Sequence, residues 1–89
     1  MANTYTELRE KITGVAAHCA RKAIAAAMCC EVVVIQRQLG LELQCTCKGS
    51  CASIRIDWML VLATHDHQAL FDYHIGRLAT KAGTPNVQQ

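Results

Sequence analysis

Eighty-nine residues that are 52% hydrophobic but only 4% aromatic, with a net charge of +2 and six cysteines, make one small domain with a core of alanine, valine, leucine, isoleucine and cysteine. That charge is too mild to announce a nucleic-acid binder. The opening MANTYTELREK lacks the apolar stretch of a signal peptide, and no apolar run reaches bilayer length, so the expectation is a cytoplasmic chain with reduced cysteines and no membrane partner.

Residues 4 to about 28 read as a helix. Thr4 and Glu7 have capping-box spacing, and Leu8, Ile12, Val15, Cys19, Ala23 and Ala27 form an apolar stripe at intervals of three and four. Glu7 and Lys11 are spaced for an i,i+4 ion pair. The β-branched run Val32 to Ile35 then suits a strand, and Arg37 to Gly40 a short return loop. Leu41, Leu43 and Cys45 alternate with polar residues, as do Ala52, Ile54 and Ile56 on the far side of Lys48-Gly49. If those two residues are the turn, Leu43 faces Ile54 and Glu42 faces Arg55, with apolar side chains on one face and opposite charges paired on the other.

From Trp58 the alternation stops, and WMLVLA suits either a strand covered on both sides or the start of a helix. Read as the continuation of the third strand, it leaves Met59 and Val61 outward on an unprotected apolar edge. Thr64 is then an N-cap for a helix carrying His67, Leu70, Phe71, His74 and Leu78, ending near Lys81 and Gly83. The reading is a single two-layer α+β domain over residues 1–83, helix, three-stranded antiparallel meander, helix, with both helices on one face of the sheet and a frayed tail over 84–89. The expected core is Leu8, Ile12, Val15, Cys19, Leu43, Ile54, Ile56, Leu70, Phe71 and Leu78. The rival is an all-α hairpin of helices over 4–38 and 53–82, against which the β-branched run and the alternation over 41–47 count.

Chemistry-bearing residues are present without a recognisable motif. Cys45, Cys47 and Cys51 with His65 and His67 supply enough thiolate and imidazole for a zinc ion. The hairpin register, however, puts Cys51 on the face opposite Cys45 and Cys47, so strand filler is the expected role and no metal or other cofactor is expected. His67 and His74 lie two helical turns apart, about 10 Å, too far to share an ion. Either could shuttle protons beside Asp66 or Asp72, but no nucleophile or oxyanion donor accompanies them. Cys19 and His18 point about 100° apart on their helix and do not form a thiolate–imidazole pair. With no phosphate loop, carboxylate pair or catalytic triad, the chain is not expected to be an enzyme.

What remains is a small non-catalytic protein-interaction module. Its expected partner-binding cations are Arg9, Lys11, Arg21 and Lys22 on the first helix, which a solvated helix face also explains. Trp58, Met59 and Val61 are the expected interface of a homodimer. A phage-encoded inhibitor of a host defence complex is the concrete form of this expectation, drawn from size and lack of motif. The competing class is a small zinc- or nucleic-acid-binding regulator. The order helix, strands, helix is also that of double-stranded-RNA-binding domains, but this chain lacks the lysine-rich start of their second helix and has Asp66 where a cation would be needed.

Overall fold

A computed structural model describes residues 4–29 and 31–83; the tail expected over 84–89 lies outside the described residues. The element order is α1 (Thr4–Ala25), β1 (Glu31–Gln36), β2 (Gly40–Cys47), β3 (Ser50–Asp57), α2 (Trp58–Ala63) and α3 (His67–Gly83). The three strands form one antiparallel sheet in the order β1-β2-β3. The fold is α+β, and the all-α alternative is ruled out.

The hairpin has the expected register, Leu43 opposite Ile54 and Glu42 opposite Arg55. Lys48 and Gly49 both have positive φ, 51° and 88°, as a type I′ turn requires. Leu41, Leu43, Cys45 and Cys47 of β2, Ala52 and Ile56 of β3, and the partly buried Val32 and Val34 of β1 all pack into the core. The opposite face carries Val33, Ile35, Glu42, Gln44, Ser53 and Arg55. Arg37 donates to Glu42 across that face at 2.8 Å. Gly40 of β2 lies opposite Asp57 of β3. A Cβ there would lie 2.5 Å from the Ile56 carbonyl oxygen, so only glycine fits.

α1 buries Ile12, Ala16, Cys19, Ala20 and Ala23, while Leu8 is 40% exposed and Val15 only partly covered. At about 100° per residue the buried face is turned roughly 40° from the expected stripe. Alanine is the reason: Ala16 and Ala20 let the helix lie close, where larger side chains would hold it away. The helix also ends sooner than 28. Ala27 has φ 59°, Ala27 N–H donates to Ile24 O, and Met28 N–H donates to Ala23 O, the hydrogen-bond pair of a Schellman motif with alanine in the place usual for glycine. Glu7 and Lys11 form no ion pair among the described residues.

α3 buries Phe71, Ile75, Leu78, Ala79 and Ala82, and its first turn is capped by Asp66, whose Oδ1 accepts from Ala69 N–H at 3.0 Å. Thr64, expected in that role, instead ends α2, its N–H donating to Val61 O. Lys22 joins Asp72 at 3.2 Å, linking the exposed flanks of α1 and α3.

Candidate interaction surfaces

The largest departure from the sequence reading is at residues 58–63, a short helix and no strand. Trp58 and Val61 are both buried, at 2% and 0% exposure. A strand would send residues three apart to opposite faces, whereas a helix brings them to one side, so only the helical path puts both large side chains in the same core. The expected dimer strip of Trp58, Met59 and Val61 therefore breaks up: Trp58 and Val61 belong to the interior of their own chain, and Met59 alone is outside.

Trp58 fixes this end of the molecule. Its backbone N–H donates to Leu39 O at 3.1 Å and its indole Nε1 to Arg37 O at 2.9 Å. The loop between β1 and β2 is thereby held against the start of α2. Arg9 reaches across from α1, its guanidinium 5.0 Å from the Trp58 ring centroid and 4.3 Å from that of Tyr5, while Nη2 donates to Tyr5 OH and Gln38 O. With its polar backbone fixed inward, this end leaves Leu39 67%, Met59 84% and Leu60 52% exposed. Large apolar side chains left exposed on a rigid support are the usual mark of an interaction surface.

The helix cations are not gathered into one patch. Arg9 is committed to Tyr5, Trp58 and Gln38, Lys22 is paired with Asp72, and Lys11 and Arg21 are exposed. Arg9 and Lys22 lie about 20 Å apart along the helix axis at 1.5 Å per residue.

The thiols and imidazoles likewise disperse. Cys45 and Cys47 point into the core and Cys51 is exposed, the separation expected from the hairpin register. Cys47 Sγ lies 3.6 Å from Met28 O, a hydrogen bond of the kind a thiol makes. Burial, then the adjacent Cys29 thiol, pushes Cys45 up to about 12. The Cys29 contact had no signal in the sequence, because it depends on how the chain turns after α1. Cys19 is pushed to about 11, first by burial and next by Asp72, so it stays a neutral thiol at physiological pH and a poor nucleophile. His67 Nε2 lies 3.0 Å from Val61 O and donates to it in the Nε2–H tautomer, while His65 is exposed. Among the described residues no three His, Cys, Asp or Glu side chains are placed to hold a metal ion.

A second surface lies along the free edge of β3. Ser53 and Ile54 of that strand and His74, Arg77, Leu78 and Lys81 of α3 line an open groove. His74, Arg77 and Lys81 recur at intervals of three and four, one flank of the helix, a pattern present in the sequence but masked by reading His74 with the buried stripe. Arg77 Nη1 donates to Tyr73 OH at 2.8 Å, which holds the guanidinium along the helix. His74 is half-buried, and burial followed by the nearby Arg77 charge lowers its pKa.

No helix among the described residues is long and apolar enough to cross a membrane. Comparison with protein-family models, with curated proteins and with solved structures finds no match.

Proposed function

We propose that this chain is a small non-catalytic protein-interaction module that self-associates through its Leu39, Met59 and Leu60 end. The observation that carries the reading is the exposure of Met59, 84%, one residue from a tryptophan that is 2% exposed and hydrogen-bonded through both its nitrogens. An apolar side chain held out on so firm a support is preorganised for contact, since little ordering cost remains when a partner covers it.

Inhibition of a host defence complex by a phage-encoded protein of this size is the concrete form of the proposal, and it rests on size and the lack of a catalytic motif. The test is retention of proteins from a host lysate by wild-type and Met59→Lys chains side by side. A partner held by the wild type and lost by the variant agrees with the proposal. Identical retention by both contradicts a role for this end.

A further inference from the structure

We infer that the free edge of β3 receives an extended acidic segment of another protein, which adds a fourth strand and sets its carboxylates against Arg77 and Lys81. β3 pairs with β2 on one side and is the last strand of the sheet. The two-residue turn makes Cys47 and Ser50 the closing hydrogen-bonded pair. In the antiparallel alternation that follows, Ser50, Ala52, Ile54 and Ile56 direct their backbone groups to β2, and Cys51, Ser53 and Arg55 direct theirs away from it. The register runs unbroken from Gly40 opposite Asp57 to Cys47 opposite Ser50, so β3 carries neither bulge nor proline, two of the devices that protect an edge. Ile54 is only partly buried and lines the groove, so α3 leaves the edge uncovered there.

Charge selects the occupant. A strand laid beside β3 turns every second side chain toward α3, where it meets His74, Arg77 and Lys81. The carboxylate on the rim, Asp72, is already bridged by Lys22 at 3.2 Å, so the groove presents cations to a newcomer. A second copy of this chain, paired edge to edge about a two-fold axis, would bring two sets of Arg77 and Lys81 toward each other, a like-charge juxtaposition that an acidic strand avoids. Backbone pairing supplies the affinity and the cations the selectivity.

The site rests on the interaction-module reading but uses a different surface from Met59, so mass tests one and amide protection the other. The probe is an alternating glutamate–valine octapeptide, followed by amide hydrogen exchange and NMR shifts of the full chain. Adding it at low salt should slow exchange at Ser53 and Arg55, and about 1 M salt, where the Debye length is near 3 Å, should weaken the effect and narrow the preference for the acidic peptide. The double variant Arg77→Glu, Lys81→Glu, both on the surface, should weaken binding by about tenfold or more with the circular dichroism unchanged. Equal binding of a lysine–valine peptide, or of a glutamate–proline peptide that cannot pair, overturns the proposal. So does an oligouridylate that displaces the acidic peptide without protecting the edge amides, which would make the groove a general polyanion site. Edge amides already protected in the free protein, with a protection that falls on dilution and persists in Met59→Lys, would assign β3 to a second copy instead.

Discussion

Arg9 of α1 holds its guanidinium 5.0 Å from the ring centroid of Trp58 at the start of α2, with the Tyr5 ring 4.3 Å away from the same group. Its Nε is buried with no hydrogen-bond partner, so the two rings take the place of water around part of the cation. The indole in turn donates to Arg37 O, so one cluster joins the first helix, the β1–β2 loop and the strand-to-helix switch. Trp58→Phe keeps the apolar ring but strands the Arg37 carbonyl. It should cost about 1–3 kcal/mol in denaturant titration. A loss too small to measure would show that the indole N–H is not what fixes the loop.

Ala27 is the second test of the local structure. Its φ of 59° is one that a β-carbon disfavours, and the two hydrogen bonds of the Schellman motif hold it there. Ala27→Gly should therefore raise stability by about 0.5–1 kcal/mol, although most substitutions lower it. A decrease would mean that α1 runs on past Ala25 in solution.

Gly40 gives the opposite expectation. Gly40→Ala drives a methyl group against the Ile56 carbonyl and should cost about 1–3 kcal/mol by forcing β2 and β3 apart. Leu43→Ala, in the fully buried centre of the same strand pair, should cost about 2–5 kcal/mol, and Ile54→Ala less because Ile54 is only partly buried. Equal losses at 43 and 54 would contradict the position of the groove.

Stability should fall on acidification from neutral pH. The folded imidazole of His74 titrates below its ordinary value of 6.5, so on acidification the unfolded chain takes up that proton first. Its contribution is complete above about pH 6.5 and is lost as the pH falls through the folded value. Glu42, held below 4.5 first by the Gln44 amide and then by Arg37, adds a loss of the same sign at lower pH. In His74→Gln the decline that begins below about pH 6.5 should flatten while the acid limb remains. An unchanged profile would place the titrating group elsewhere.

The hairpin was legible because two independent patterns agree on it. Period-2 alternation and the Glu42–Arg55 charge pair select the same register, and a one-residue slip would spoil both. Residues 58–63 carry no such constraint. A run that is apolar throughout has neither period, and only the shared core position of Trp58 and Val61 decides for helix. The rotation of α1 has a similar origin, since alanine weighs little in an apolar pattern yet decides which face can approach most closely. Tertiary contacts such as Arg9 with Trp58, or Cys29 with Cys45, have no local signature at all. Of the surface now singled out, Met59 was recognised; Leu60 was not, because the strand reading turns it inward, and Leu39 was not, because an isolated leucine in a polar loop reads as incidental until its backbone is seen fixed by Trp58.

Self-association through the apolar end is tested most directly by light scattering coupled to size exclusion at micromolar concentration. The wild type should have the mass of two chains or more. Met59→Lys, at a position 84% exposed, should have the mass of one with its circular dichroism intact. Val61→Lys cannot serve, because that side chain is fully buried and a charge there would unfold the domain. A wild type with the mass of one chain, or a Met59→Lys variant with the same mass as the wild type, would contradict the account.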